Sequence, residues 1–275
     1  MHSELNWTTD DGLKIFSQFW QPQGETKGVI NLVHGLGEHS GRYETYAKKL
    51  ADAGYVFFAF DLRGSGKSGG KRGHVPAYKF FLNDIHQFLQ ESHKRFPYKP
   101  QFLYGHSLGG NLALNYCMRR NYELQGLIVT SPWLKLALKP SLFKILLGQG
   151  VDLVWPSFSQ HNGISAHALS HDPQIVESYA NDPLVHNRIS TRLFFEAHRA
   201  ANWTLEHSQD LRIPLLLMHG TEDGITSYEG SKEFAAGVKG ECTLKLWEGQ
   251  YHELHNEYVK EEVFQEILGW LEIHL

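Results

Sequence analysis

Short apolar runs alternate with stretches in which apolar residues return every three or four positions, and this rhythm fills most of the 275-residue chain. A turn sequence, Thr9-Asp10-Asp11-Gly12, separates residues 5–8 from the apolar-rich 13–20, which predicts an opening antiparallel hairpin. Residues 28–34 read as a buried strand, and Tyr43, Tyr46, Ala47, Leu50 and Ala51 mark one face of a helix that Gly54 ends. The unit recurs as a strand over 55–60 and a helix with Phe81, Ile85, Phe88 and Leu89 on its inner face. It returns again as a strand over 101–105, a helix over 108–119 and a strand over 124–130. Strands without polar alternation, separated by amphipathic helices, predict βαβ units and a mostly parallel central sheet, hence an α/β fold.

The rhythm stops after residue 130, where Pro132, Pro140, Pro156, Pro173 and Pro183 break helical or irregular segments. It resumes with a strand over 214–219, a helix over 227–236, a strand over 242–247 and a last helix from Glu257, striped by Val259, Val263, Phe264, Ile267, Leu268 and Leu271. Residues 1–130 and 209–275 are therefore expected to form one core, interrupted by a helical cap over 131–208. Within the cap, 133–155 is rich in leucine, with Lys135, Lys139, Lys144 and Asp152 as its charged residues. Such a helix either packs onto the core as a lid or rests on a membrane surface and admits a lipid, and the two are compatible.

Composition narrows the class. With 41% hydrophobic and 20% charged residues the chain is an ordinary globular protein. A formal charge of −4 and a pI near 6.5 supply no broad basic face, so nucleic acid is not an expected partner. The two cysteines, Cys117 and Cys242, form neither a disulfide framework nor a zinc pattern, which fits a reducing compartment. Residues 1–21 lack a basic head followed by an apolar run, and no stretch reaches the roughly 18 apolar residues of a membrane span. A cytoplasmic protein is expected, peripheral to a membrane if the cap docks there. Oligomeric state is not readable from the sequence.

Candidate chemistry centres on Gly105-His106-Ser107-Leu108-Gly109, a G-x-S-x-G sequence placed where a strand ends and a helix begins. Glycines on both sides let the chain turn tightly enough to expose a serine hydroxyl at the carboxyl edge of the sheet. A serine hydroxyl is a weak nucleophile at neutral pH, so a base must take its proton and a carboxylate must hold that base in one tautomer. On such an elbow the acid and the histidine follow in that order, on loops after later strands. Seventeen histidines are present, so position has to choose among them. His252 follows the strand over 242–247 by a short loop, with His255 its nearest competitor. Asp223 follows the strand over 214–219, with Glu222 beside it. For an oxyanion, the N–H after the nucleophile, that of Leu108, is one donor; Leu36, in the Gly35-Leu36-Gly37 turn, supplies the second.

Two other patterns fail on spacing. Gly64-Ser65-Gly66-Lys67-Ser68 ends like a phosphate loop but has Asp61 where the first glycine is required. His252-Glu253-Leu254-His255 sets its histidines three apart, whereas a zinc helix needs four. No metal or cofactor is expected.

With these residues placed, the chain resembles the monoacylglycerol lipase and lysophospholipase-like branch of serine α/β-hydrolases. The likeness rests on residues 34–43 (HGLGEHSGRY), on Asp61-Leu62-Arg63-Gly64, on residues 105–110 (GHSLGG) and on residues 251–257 (YHELHNE). The resemblance implies an α/β-hydrolase fold, a triad of Ser107, Asp223 and His252, and oxyanion donors at Leu36 and Leu108. It further implies a mobile cap over an apolar tunnel for one acyl chain, with a polar end near the triad. Two departures stand out: Gly64-Ser65-Gly66 occupies a place where the family often has Gly-His-Gly, and the cap is the least family-like region. The expected reaction is hydrolysis of a lipid ester, foremost a monoacylglycerol. Lysophospholipid, general ester and thioester hydrolysis stay open, and a lipid-binding module without catalysis is the non-enzymatic alternative. Epoxide and haloalkane hydrolysis call for an aspartate where Ser107 stands.

Overall fold

A computed structural model describes residues 1–138 and 141–275; Lys139 and Pro140, counted above among the lysines and prolines of the cap, lie outside the described residues. The opening hairpin is β1 (His2–Thr8) and β2 (Lys14–Trp20), paired in antiparallel register from His2 opposite Trp20 to Thr8 opposite Lys14. Gly12 takes the positive φ, 83°, that the turn requires. Strand β3 (Gly28–Val33) leads to helix α1 (Glu44–Asp52), β4 (Tyr55–Phe60) to α2 (Tyr78–Arg95), and β5 (Gln101–His106) to α3 (Leu108–Arg119). Strand β6 (Gly126–Thr130) closes the first half. After the intervening segment the chain forms β9 (Leu215–Gly220), α7 (Tyr228–Gly237), β10 (Cys242–Trp247) and α8 (Lys260–Ile273).

The eight strands lie in the order β1-β2-β4-β3-β5-β6-β9-β10, parallel from β4 to β10. Every residue of β3, β4, β5, β6 and β9 is buried, because helices cover both faces of the sheet. Period-two alternation nonetheless divides these strands. Val56, Phe58 and Phe60 of β4 pack with α2, α3 and α7, whereas Tyr55, Phe57 and Ala59 pack with α1 and α8. The chain passes from β3 to β4 on one side and then to β5 on the other. Strand order therefore reverses beside β3, and the loops after β3 and β5 open apart at their carboxyl ends, where open α/β sheets carry their sites.

The described residues of 131–208 supply no strand to this sheet. They carry α4 (Leu142–Val154), a small ribbon of β7 (Ser159–His161) and β8 (Arg188–Ser190), α5 (Pro173–Asn181) and α6 (Thr191–Glu206). Two expectations change here. Among its described residues the apolar stretch 133–155 is helical over Leu142–Val154 and not before: Trp133 and Leu134 are buried in the core, and Leu136 bridges to Thr226. The last helix starts at Lys260 rather than Glu257, since Leu254–Asn256 forms a separate 3-10 turn. Helix α6 seats Leu193, Ala197 and Ala200 in the core cluster that α2, α3 and α7 share, so it is the base of the intervening segment. Helix α4 is different: Leu142, Phe143, Leu146, Leu147, Leu153 and Val154 are all exposed, Leu153 to 85%. Among the described residues no helix is long and apolar enough to cross a membrane.

Candidate active site

Ser107 sits between β5 and α3 with φ 56° and ψ −117°, a region that a side chain with a Cβ enters only under constraint. The constraint is close packing. A Cβ on Gly109 would stand 1.9 Å from the carbonyl oxygen of Val33, and one on Gly105 would stand 2.5 Å from that of Gly109, so both positions need glycine for α3 to approach the sheet. The turn is held by Ser107 N–H donating to Thr130 O at 3.0 Å, while Ser107 O accepts from Trp133 N–H at 2.9 Å.

The expected acid and histidine meet. His252 Nδ1 lies 2.7 Å from Asp223 Oδ2, which also accepts from Thr226 Oγ1 at 2.8 Å and lies 3.0 Å from His219 Nε2. Asp223 Oδ1 accepts from the N–H groups of Ile225 and Thr226. Burial opposes a charge on Asp223, yet the adjacent His252 and His219 outweigh it and hold this carboxyl well below the usual range. Glu222, its sequence neighbour, is exposed and points into no part of this network among the described contacts. Burial likewise disfavours a charged His252, but the Asp223 carboxylate and its hydrogen bond, helped by Glu253 and Glu38, raise the imidazole above its ordinary 6.5. His252 and Ser107 line one cavity, and His252 Nε2 makes no hydrogen bond among the described residues, Ser107 Oγ included.

His255 sits elsewhere. It is buried against Tyr43, with ring centroids 4.6 Å apart, and neither of its nitrogens has a hydrogen-bond partner among the described residues. Burial and packing thus make it a wall residue.

Of the two expected donors, Leu36 borders the cavity and Leu108 follows Ser107 as the first residue of α3. The N–H groups of Leu36 and Leu108 make no hydrogen bond among the described residues, and Leu36 lines the cavity with Ser107. The Leu36 loop is braced from both ends. His34 Nε2 accepts from Leu62 N–H at 2.9 Å, so its Nδ1–H donates to Gly35 O at 2.8 Å; Gly35 N–H donates to Glu38 Oε1 at 2.6 Å.

Four supports were not singled out from sequence. Ser131, itself at φ 46°, donates from Oγ to His252 O at 2.7 Å and so fixes the histidine loop. His219 and Thr226 complete the Asp223 shell. His106, inside the serine motif, stands with its ring 4.8 Å from that of His252; burial and the neighbouring His252 charge push its pKa down to about 3, which keeps it neutral. The fourth is a buried ion cluster. Arg42 reaches Glu38 Oε2 at 2.8 Å and grips both oxygens of Glu253 at 2.6 and 2.7 Å, which ties the loop of Leu36 to the loop of His252. Glu38 and Arg42 lie four apart within residues 34–43, but Glu253 is 211 residues from Arg42, and no spacing pattern joins them.

The cavity at Ser107 measures about 20 Å³, room for about one water, and Ile164, Leu169 and Tyr179 of the intervening segment form its outer wall. A larger cavity of about 320 Å³ lies behind Arg42 and does not include Ser107. The intervening segment also grips the Leu36 loop, with His186 N–H donating to Gly37 O at 2.9 Å and His39 Nε2 standing 2.8 Å from Asp182 Oδ2. Among the described residues no cluster of three or more potential ligands could hold a metal. The Gly64-Ser65-Gly66 segment is a structural turn: Asp61 accepts from Ser40 and Lys67 across it, and a Cβ on Gly66 would stand 2.0 Å from Asp61 Oδ2.

This geometry has known counterparts. Residues 24–258 match the Hydrolase_4 family, described as serine aminopeptidase, S33. The human monoglyceride lipase is 35% identical over 95% of this chain and 88% of its own length. The chain belongs to the monoacylglycerol lipase-like branch of the serine α/β-hydrolases. Within that family the crystal structure of a Paleococcus ferrophilus monoacylglycerol lipase superposes with a TM-score of 0.85 at 32% identity, covering 100% of both chains. An uncharacterized abhydrolase domain-containing protein of Dictyostelium discoideum is 38% identical over 98% of this chain, which spans only 29% of that protein's length. Family membership carries the enzyme class, a carboxylic ester hydrolase, and agrees with the mostly parallel sheet described above.

Proposed function

We propose that this protein hydrolyses monoacylglycerols, with Ser107 as nucleophile, His252 as general base and Asp223 as the acid that orients it. Ser107 Oγ attacks the ester carbonyl as its proton passes to His252 Nε2. The oxyanion takes the N–H groups of Leu36 and Leu108, and collapse releases glycerol, which carries away the proton from His252. Water, deprotonated by His252, then attacks the acyl-Ser107 ester; the acyl–Oγ bond breaks as His252 returns the proton to Ser107 Oγ, and the fatty acid leaves. The observation that carries the reading is the 2.7 Å contact of His252 Nδ1 with the Asp223 carboxylate beside a serine held at φ 56°. The alcohol and acyl parts of the substrate rest on the lipase relatives, which match nearly the whole chain.

Residues 131–208 are proposed as the cap. A cavity of about 20 Å³ cannot take a lipid ester, whose sites measure some 300 Å³ or more, so Ile164, Leu169 and Tyr179 must move aside while α6 stays on α3. The exposed apolar face of α4 supports peripheral docking of the cap on a lipid surface during that opening. A turnover panel of monoacylglycerols, lysophospholipids and p-nitrophenyl esters of graded chain length tests the assignment. Highest kcat/KM on long-chain monoacylglycerols is expected; a preference confined to two-to-four-carbon esters, or for lysophospholipids, overturns the substrate.

A further inference from the structure

The ion cluster of Glu38, Arg42 and Glu253 holds two carboxylates against one guanidinium, all three almost wholly buried, with side-chain exposures of 4%, 7% and 2%. Burial opposes charge on either carboxylate, yet the Arg42 guanidinium beside them holds both below their usual range, so both are ionised at neutral pH. The cluster therefore carries one uncompensated negative charge. Its placement is polarised: Glu38 and Glu253 line the small cavity with Ser107 and His252, whereas Arg42 lines the larger cavity on the far side. Asn256 Nδ2 donates to Glu253 Oε2 at 2.8 Å and keeps that carboxylate from rotating away.

We infer that Glu253, together with Glu38, is an electrostatic positioning residue for His252: held in place by Arg42, the pair directs a fixed negative field at the imidazole and stabilises the imidazolium formed when Ser107 gives up its proton. The inference rests on the proposed role of His252 as base. In acylation the Ser107 Oγ–H bond breaks, the proton moves to His252 Nε2 and an oxyanion forms, so a positive charge appears on His252 within a low-dielectric pocket. Preorganised charge placed there lowers the barrier without having to reorient. Other titratable groups face the same ring. Asp223 approaches from the loop after β9 with His219 behind it, His106 comes from the end of β5 with His255 beyond it at 5.3 Å between ring centroids, and Tyr179 of α5 borders the cavity. Asp223 contributes at Nδ1, while Glu38 and Glu253 act through space from the cavity wall.

The test is the pH profile of kcat/KM in Glu253→Gln. Glutamine preserves the shape and keeps one oxygen to accept from Arg42 while losing the second of the two contacts, and it brings the cluster to zero net charge. The midpoint of the acid limb is expected to fall by about half a pH unit or more, and the plateau to drop about three- to tenfold. Glu253→Asp, which restores the charge, is expected to return the midpoint to the wild-type value even if the plateau stays reduced. A lowered plateau with an unmoved midpoint marks a merely structural role and overturns the inference, as does an upward shift. Should Glu253→Gln fail to fold by circular dichroism, Glu38→Gln removes the other carboxylate and carries the same test, with the same downward shift expected and an unmoved midpoint again contradicting it. His252→Ala separates the two levels: full activity there refutes the base assignment, whereas an inactive His252→Ala with an unmoved Glu253→Gln midpoint refutes only the role of Glu253.

Discussion

Replacing Asp223 by asparagine removes one charge and changes almost no volume, which makes it a sharp probe of the site. Asp223 Oδ2 is met by His252 Nδ1 at 2.7 Å, Thr226 Oγ1 at 2.8 Å and His219 Nε2 at 3.0 Å, while Oδ1 takes two backbone N–H groups. An amide fits neither way. With its NH2 toward Ile225 and Thr226 it opposes two donors; with its NH2 toward His252 it forces the imidazole into the tautomer protonated at Nε2, which cannot accept the Ser107 proton. Even in the better orientation the imidazolium loses its counter-charge. Opposite charges about 4 Å apart at an effective dielectric near 20 interact by about 4 kcal/mol, or nearly a thousandfold in rate. Adding the tautomer penalty, kcat/KM is expected to fall by about 10³- to 10⁴-fold with KM little changed. The assay is turnover of a p-nitrophenyl ester by wild type, Asp223→Asn and Glu222→Gln, with thermal melting to establish that each is folded. Because Glu222 is exposed, Glu222→Gln is expected to stay within about twofold of wild type. Retention of more than about a tenth of the activity by Asp223→Asn, or an equal loss in Glu222→Gln, would refute the reasoning.

Three further outcomes are expected. With His252 as the proposed base, acting in its neutral form, and its pKa raised, activity is expected to be lost as pH falls through a midpoint above 6.5; a kcat/KM profile with its midpoint well below that value contradicts the arrangement. Gly109→Ala drives a methyl against Val33 O at 1.9 Å and His34 O at 2.5 Å, so urea unfolding is expected to show a loss of about 3 kcal/mol or more, and a loss under about 1 kcal/mol means that helix and sheet are not locked together there. Leu146→Asp with Leu153→Asp, both exposed on α4, is expected to weaken vesicle co-sedimentation about tenfold or more and to leave turnover of a water-soluble ester unchanged; unaltered sedimentation removes α4 from membrane docking.

The β/α rhythm was legible because the central strands are buried on both faces and appear in the sequence as unbroken apolar runs such as Tyr55–Phe60. The elbow around Ser107 was legible for a different reason: close approach of α3 to the sheet leaves no room for side chains at Gly105 and Gly109, so sterics write the motif directly into the chain. Position in the loop favoured Asp223 over Glu222, but the contacts that bury Asp223 were not legible: His219 and Thr226 surround its carboxylate, and Thr226 Oγ1 stands 3.0 Å from the carbonyl oxygen of Ser131, 95 residues earlier in the chain. The Glu38–Arg42–Glu253 cluster escaped for the same physical reason, being a contact across 211 residues between side chains of ordinary surface type. In the intervening segment, apolar content misled on helix length, because Trp133 and Leu134 serve the core while, among the described residues, the exposed helix is Leu142–Val154.

The central claim is that Ser107 becomes acylated. Incubation of the intact protein with a fluorophosphonate probe, followed by peptide mapping by mass spectrometry, tests it most directly. One adduct on Ser107 is expected, absent from Ser107→Ala, which should also lose esterase activity by a factor of about 10³ or more. An unmodified Ser107, together with full activity in Ser107→Ala, would contradict the account.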